Sequence, residues 1–248
     1  MPLYRIHPLV LGTKVFDKGM MTYQYGYGTP YTIPIYGWLL EGGKRSILVD
    51  SGEMSPIRSA DREQAIGGPI QTLEEALARF GLAPKDIDLL VHTHLHADHC
   101  ENDYKCENAR ILVHALELEH VHNPHPLDFR YLEDHILDVE ENGQIEALAG
   151  DTEVVPGVRM VHTPAHTEGG MSVFVDTAEG LACITGFCVI KENFYPPAEI
   201  TGMEMEVIPP GTAVNPREAY DIMLRVRDAA DMILPLHEPA FASGEPIG

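Results

Sequence analysis

The histidine-rich segment at residues 93–99 constrains the fold and the chemistry of this chain more than any other feature of its sequence. It reads Thr-His-Leu-His-Ala-Asp-His and places four side chains able to bind a metal within six residues. The preceding run, residues 87–91, is short, apolar and rich in branched side chains, which predicts a buried strand that delivers the histidines into a loop. The segment therefore predicts a metal site at the end of a strand.

Charge and hydropathy exclude several classes of protein. The chain has 248 residues, with 17 Lys and Arg against 38 Asp and Glu, and a formal net charge of −21. Such an acidic surface repels phosphate backbones and anionic membranes, so we expect no nucleic-acid partner and no membrane association. No run approaches the ~18 apolar residues of a membrane span, and the N-terminal region lacks the pattern of a signal peptide. We expect a cytoplasmic protein whose four cysteines are reduced thiols.

Hydrophobic periodicity predicts strands that alternate with helices in the first half of the chain. A capping-box spacing at Thr72 begins an amphipathic helix that Gly81 ends, another helix is predicted at residues 115–121, and a final helix begins near Pro216. The Gly- and Tyr-rich segment 20–31 is a loop, either an ordinary hairpin connection or the wall of a binding cleft. Because no linker or repeat interrupts the chain, residues 1–248 are predicted to form a single domain. The predicted strands are residues 4–12, 33–41, 46–49, 87–91, 109–113, 158–162, 171–176, 181–185 and 232–234.

The spacing of the ligands indicates two metal ions. His94 and His96 lie two residues apart, and in an extended segment both imidazoles face the same side and can bind one cation. Asp98 and His99 follow at once, where a tight turn could direct them at a second cation. Imidazole and carboxylate donors suit zinc, and iron or manganese are alternatives because affinity alone does not select among divalent ions. We therefore expect two Zn²⁺ ions.

The pattern His-x-His-x-Asp-His at residues 94–99 resembles the signature of the metallo-β-lactamase superfamily. Three further segments match that family in order, namely residues 47–52, residues 163–170 and residues 236–237. The resemblance spans roughly residues 33–240. It implies an α/β fold, a four-layer αβ/βα sandwich in which two mixed sheets are flanked by helices.

The resemblance also implies how the site residues are divided. Asp50, at the end of the strand in residues 47–52, would support the site from behind its ligands. The implied ligands of the first metal are His94, His96 and His166, and those of the second are Asp98, His99 and His237. Besides binding the second metal, Asp98 would be the catalytic residue that relays a proton.

One family position departs from the pattern. Most hydrolases of this superfamily have Gly-Asp after the strand predicted at 181–185, and that Asp bridges the metals. Here the strand continues into Gly186, Phe187 and Cys188. If Phe187 takes the Asp position the bridge is lost, whereas Cys188 in that position would supply a thiolate ligand. We favour Cys188, because the segment resembles the Gly-x-Cys-Leu-Ile-Lys segment of zinc β-lactamases that use a Cys ligand, and a buried inert thiol is the alternative.

Two close cations can activate a water at neutral pH and polarise a carbonyl group, which favours a hydrolase. The layout resembles the acyl-homoserine lactonase branch, so a lactone or similar small cyclic ester is the expected substrate. Lys191 could bind the substrate or be a solvated surface residue, and Tyr195 or a tyrosine of residues 23–31 could orient its carbonyl. A cyclic amide or another ester would also fit this chemistry, and the same fold hosts a different class of reaction, iron-dependent oxidation. The expected binding partner is a small-molecule substrate. The sequence leaves open whether the chain forms a homodimer.

The remaining histidines are expected to be structural. His120, His122 and His125 form a His-x-His-x-x-His pattern, but the first two lie on a predicted helix at a spacing that points them apart. His92 precedes the metal-binding segment on its strand and is expected to pack in the core. We therefore predict no additional metal site from these residues.

Overall fold

Apolar strands from the first 150 residues form the first of two sheets. The computed structural model describes residues 2–248. The strands of the first sheet are β1 (Arg5–Asp17), β2 (Pro30–Glu41), β3 (Ile47–Val49), β4 (Leu89–Val91), β5 (Arg110–His114) and β6 (Ile145–Leu148). They lie in the spatial order β1 to β6, with the first three strands antiparallel and the rest parallel. The segment from Lys18 to Thr29 connects the antiparallel β1 and β2, so it is a hairpin connection.

The second sheet comes from the C-terminal half of the chain. Its strands are β7 (Thr152–Val155), β8 (Val158–His162), β9 (Met171–Thr177), β10 (Gly180–Ile184) and β11 (Met232–Leu234). Their spatial order is β11, β10, β9, β8, β7, and only β10 and β11 are parallel. Both sheets are therefore mixed, as expected from the sequence.

The described residues also form eight α-helices, most of them short. The predicted capping box is present, because the Thr72 hydroxyl accepts from the Glu75 amide while the Glu75 carboxylate accepts from the Thr72 amide. The last long helix carries its Asn215 cap and a buried apolar face, as its periodicity predicted. The helices are α1 (Ala60–Ile66), α2 (Leu73–Ala78), α3 (Ala97–Cys100), α4 (Ala115–His122), α5 (Leu137–Glu141), α6 (Lys191–Phe194), α7 (Ala198–Thr201) and α8 (Pro216–Ala229).

Three buried clusters define the layers. The central cluster joins both sheets, with Trp38 of β2 and Val173 of β9 among its members. A second cluster packs α2 on the outer face of the first sheet through Leu77. A third packs α8 on the outer face of the second sheet through Ile222. This confirms the predicted αβ/βα sandwich, whose apolar faces are removed from water on both sides of each sheet.

The loops that follow β3, β4, β8 and β11 meet at one edge of the sandwich. The backbone amide of Met171 donates to the carbonyl of Thr93 at 2.8 Å and ties the two sheets together there. Across the described residues, no helix is both long and apolar enough to cross a bilayer. The edge where these loops meet contains the predicted ligands.

Candidate metal centre

Three buried imidazoles converge at the end of β4 and β8. His94, His96 and His166 each offer a ring nitrogen, and these three atoms lie within 4.8 Å of one another. Nε2 of His166 is 3.2 Å from Nδ1 of His96, and Nε2 of His94 is buried without a hydrogen-bond partner. A buried, unpaired polar atom costs about 1–3 kcal/mol. This arrangement suits a cation between the three nitrogens.

The outer nitrogen of each imidazole is held by a neighbour. The Thr93 hydroxyl donates to Asp50 at 2.7 Å, so Nδ1–H of His94 donates to the Thr93 oxygen at 3.0 Å. Nε2 of His96 donates to Asp128 at 3.2 Å. Nδ1 of His166 lies 3.0 Å from the Thr212 hydroxyl. Such outer hydrogen bonds fix the tautomer and leave the inner lone pair for a metal.

The second predicted ligand group lies beside the first. The rings of His94 and His99 have centroids 4.2 Å apart, and those of His99 and His237 lie 5.4 Å apart. Nδ1 of His237 donates to the carbonyl of Pro34 at 3.0 Å, which leaves Nε2 unprotonated. Oδ1 of Asp98 is 4.0 Å from Nε2 of His99. The structure therefore brings all six His and Asp residues of the predicted set to one place.

Asp50 lies directly behind these ligands, as predicted. It is fully buried in a left-handed conformation with φ of 57°, and it accepts from Nδ1 of His99 at 3.0 Å and from the Thr93 amide at 2.8 Å. Burial would raise the pKa of Asp50, but hydrogen bonds from His92 and His99 hold it well below the usual range. A carboxylate in this position orients the imidazole and increases its basicity.

His92 packs in the core, as predicted, but it is paired with two carboxylates. Its Nε2 is 2.8 Å from Asp103 and its Nδ1 is 3.4 Å from Asp50. Burial alone would lower the pKa of His92, whereas the charges and hydrogen bonds of Asp103 and Asp50 more than offset this and raise it to about 10. His92 therefore supports Asp50, a role that its sequence context did not predict.

The histidines of the first group are held neutral. Burial, followed by the neighbouring histidines, lowers the pKa of His94 and of His166 well below the usual value. Burial also lowers the pKa of His237 to about 4. His99 differs, because the adjacent Asp98 and Asp50 outweigh burial and raise its pKa. Neutral imidazoles can coordinate a cation without first losing a proton.

Glu117 on α4 joins the two halves of the site. Its fully buried carboxylate accepts from the Leu95 amide at 2.9 Å, the Tyr131 hydroxyl at 3.0 Å and the Gly169 amide at 3.1 Å. A Cβ at position 169 would lie 2.7 Å from Oε1 of Glu117, so this approach requires glycine. Glu117 thereby connects the His94–His96 loop to the loop that carries His166. Sequence reasoning missed it because a Glu in a helix is ordinarily solvent-exposed.

A cleft of about 450 Å³ opens beside His166. Apolar side chains such as Leu127 and Val214 line part of it, and Asp128 and Arg130 line the part nearest the histidines. Nε and Nη2 of Arg130 donate to Asp128 at 2.7 and 2.9 Å. Burial would raise the pKa of Asp128, but hydrogen bonds from His96 and Arg130 hold it well below the usual range. The cleft provides space for a small molecule next to the predicted ligands.

This geometry agrees with comparisons to known proteins. A family model for the metallo-beta-lactamase superfamily matches residues 31–186, which is more than half of the chain. The chain belongs to the metallo-beta-lactamase superfamily. An N-acyl homoserine lactonase of Bacillus cereus is 28% identical over 222 residues, which cover 84% of this chain and 85% of the relative.

Solved structures with a similar fold agree with this assignment. A B. thuringiensis AiiA mutant with N-decanoyl-L-homoserine bound at the active site has a TM-score of 0.74 at 25% identity, covering 96% of this chain and 94% of that one. A dizinc quorum-quenching lactonase shares the fold, with a TM-score of 0.64 at 14% identity and coverage of 95% and 88%. The expectation of a metal-dependent hydrolase with a lactonase-like layout is confirmed by these matches.

Residues 185–191, which follow β10, include no carboxylate that could bridge two metals. Phe187 is fully buried in the cluster under α8 and packs near Phe194, with ring centroids 6.2 Å apart. Sγ of Cys188 lies 3.9 Å from Sδ of Met21, and burial raises the pKa of this thiol to about 12. Cys188 does not join the close set formed by His94, His96 and His166 among the described residues. Its role as a ligand stays a prediction.

The two predicted substrate-binding residues on and after α6 are exposed. Tyr195 has 54% of its surface accessible, and Lys191 is also exposed. Neither side chain is hydrogen-bonded to the histidine cluster within residues 2–248, and neither lines the cleft next to His166. The structure therefore does not bring them to the candidate centre, and substrate contact by either remains a prediction.

The other histidine pattern forms no metal cluster in the described part of the chain. His120 pairs with Glu168 at 3.0 Å, while His122 pairs with Glu133 at 2.8 Å and Glu140 at 3.2 Å. All four cysteines are free, buried thiols, as expected. His120 and His122 therefore make local ion pairs outside the centre.

Proposed function

We propose that this superfamily member hydrolyses a lactone or similar small cyclic ester with two divalent cations, zinc in the first instance. The observation that supports it most is the unpaired, buried Nε2 of His94 facing ring nitrogens of His96 and His166. Three imidazoles with fixed tautomers are the donor set of a zinc site. The choice of a lactone is supported by the Bacillus cereus relative, which is an N-acyl homoserine lactonase.

In the proposed site, the two ligand groups have different roles. His94, His96 and His166 would hold one cation, and Asp98, His99 and His237 the second, with Cys188 as a further donor. Bound divalent cations would polarise a carbonyl group and supply a nucleophilic water at neutral pH. Asp50 and Asp128 would keep the rings of His99 and His96 in their binding orientation.

In the proposed reaction, Asp98 moves a proton during ring opening. Burial would raise the pKa of Asp98, but the charges of His99, His237 and His96 lower it, so the carboxylate is ionised near neutral pH. The side chain of Asp98 has a relative solvent exposure of 20%. An ionised, accessible carboxylate can take a proton from water and deliver it to the leaving ring oxygen.

The cleft fits a small substrate. Its volume of about 450 Å³ is within the usual range for small-molecule sites, and its wall combines apolar side chains with a few polar groups. A lactone with a short apolar substituent could place its ring at the histidines and the substituent toward Leu127 and Val214.

The test combines metal analysis with a pH-stat screen of lactones, cyclic amides and linear esters. We expect about two zinc ions per chain and lactones as the best substrates. His94→Ala should lose bound metal and activity, whereas His122→Ala should retain both because His122 lies in an exposed ion pair. Absence of hydrolysis across the panel would refute the proposal, and iron content with oxygen uptake would indicate oxidation instead.

A further inference from the structure

Arg130 directs one free nitrogen at the candidate centre. Its Nε and Nη2 are bound to Asp128, and its Nη1 lies 3.5 Å from Nε2 of His166, the nitrogen that faces the other ligands. When that lone pair of His166 binds a cation, the hydrogens of Nη1 remain without a partner. The guanidinium therefore offers a donor at the point where substrate atoms would meet the centre.

Two connections hold Arg130 in this position. Its backbone carbonyl accepts from the amide of Ala97, at the start of α3, at 2.9 Å. Asp128, which binds its guanidinium, also accepts from Nε2 of His96 at 3.2 Å. Both connections lead to the ligand loop itself, so the position of Nη1 relative to the ligands is determined by short-range contacts. Such fixed donors are effective because they need no reorganisation during reaction.

Charge indicates what Nη1 would bind. A guanidinium stays protonated in proteins, so its positive charge faces a site built to hold cations. Like charges in a partly buried site repel unless an anionic oxygen lies between them. Hydrolysis of a lactone provides such an oxygen twice, as the carbonyl oxygen that becomes negative during attack and as the carboxylate of the product. The arrangement therefore favours an oxygen ligand on the reacting carbon.

Three tyrosines that could donate to a substrate carbonyl are exposed or already paired. Tyr195 is exposed, the Tyr25 hydroxyl donates to Glu199 at 3.0 Å, and the Tyr131 hydroxyl donates to Glu117. On the cleft wall, the Thr212 hydroxyl lies 3.0 Å from the outer nitrogen of His166, whereas Nη1 of Arg130 faces Nε2, the nitrogen directed at the other ligands.

We propose that Arg130 is a catalytic residue whose Nη1 donates a hydrogen bond to the carbonyl oxygen of the lactone and then to the same oxygen in the product carboxylate. The inference rests on the proposed lactone hydrolysis. In that reaction the water oxygen bonds to the carbonyl carbon and the ring C–O bond breaks. One water proton goes to the leaving oxygen, and the other is released as the new acid ionises. Arg130 transfers no proton.

The experiment compares Arg130→Met and Arg130→Lys with Arg159→Met, a matched change at an exposed arginine on β8. The probes are the lactone that the wild type hydrolyses fastest, its ring-opened hydroxy acid and the uncharged amide of that acid. Metal content is measured by mass spectrometry, turnover by pH-stat and product binding by calorimetry. Arg130→Ala is also assayed with added guanidinium chloride.

We expect wild-type metal content in every variant. Arg130→Met should lower kcat/KM about 100-fold, as loss of an oxyanion donor does in other hydrolases, and should weaken binding of the hydroxy acid at least about tenfold but not that of the amide. Arg130→Lys should be intermediate, Arg159→Met should match the wild type, and guanidinium should restore part of the activity of Arg130→Ala.

Several results would overturn the proposal. Unchanged kcat/KM and product affinity in Arg130→Met, with an active wild type, would refute the role of Arg130 and leave lactone hydrolysis standing. Loss of metal from the Arg130 variants, or equal weakening of acid and amide binding, would assign Arg130 a structural role. A wild type that hydrolyses no lactone would refute both proposals.

Discussion

Replacement of Glu117 by Gln tests whether one buried carboxylate assembles the site. The exchange preserves the shape of the side chain but replaces one carboxylate oxygen with an amide group that donates hydrogen bonds. In one orientation this donor faces the Gly169 amide, and in the other it faces the Leu95 amide and the Tyr131 hydroxyl. At least one charge-assisted hydrogen bond is lost, worth about 1.5–3 kcal/mol, and a backbone donor is left unpaired. Because the neutral amide is easier to bury, part of this loss is offset.

We expect the free energy of unfolding of metal-free Glu117→Gln to fall by about 2 kcal/mol. For a chain of this size that corresponds to a decrease in Tm of about 6 °C. Because Glu117 aligns the loops of His96 and His166, zinc affinity should also fall by about tenfold or more. Chemical denaturation and competitive chelator titration measure the two effects.

Glu119→Gln is the matched control, because Glu119 lies on the same helix but is exposed. It should stay within about 0.5 kcal/mol of the wild type. If Glu117→Gln matched this control in both stability and zinc affinity, the assignment of Glu117 as the link between the two loops would be wrong.

Three further predictions concern other parts of the molecule. Asp50→Asn should weaken binding of one zinc by about 10–100-fold in chelator titration, because His99 loses its carboxylate partner, and unchanged affinity would contradict this. Cys188→Ala should reduce bound metal while Cys183→Ala, in the buried strand β10, should not, and equal metal content would make Cys188 a structural thiol. His122 has a pKa raised from 6.5 by two carboxylates, so its stabilisation is complete below that value and is lost as pH rises through the higher folded pKa. His122→Gln should therefore cost less than about 1 kcal/mol at pH 5.5 and a smaller amount at pH 9 in denaturation experiments, and a loss independent of pH would disprove the ion-pair explanation.

Much of the fold could be predicted because its elements have strong local patterns. Strand β8 and strand β11 have the predicted bounds, and α8 begins at the predicted Pro216. Strands β6 and β7 were missed, since they are four residues long, only partly buried and carry little alternation. The short helices α3, α6 and α7 lack enough turns for a periodic pattern to be recognised.

The ligand residues were predictable and the groups around them were not. His94, His96, Asp98 and His99 are adjacent in sequence, and family resemblance added His166 and His237. Lys191 and Tyr195 were predicted by the same resemblance but lie exposed on and after α6. A resemblance transfers positions along a chain, whereas the direction of a side chain depends on the packing of its element.

The chain's local chemistry was sufficient to identify the superfamily, the metal-ligand types and the strands that present them, because these depend on residue type and short spacing. Tertiary structure alone revealed that Asp128 and Arg130 contact the histidines and that Glu117 joins the loops that carry them. These contacts join residues 22 to 52 positions apart, as in the pairs of Leu95 with Glu117 and of Glu117 with Gly169. No local pattern encodes such contacts, since they form only when the two sheets pack and bring loops from both halves of the chain to one edge.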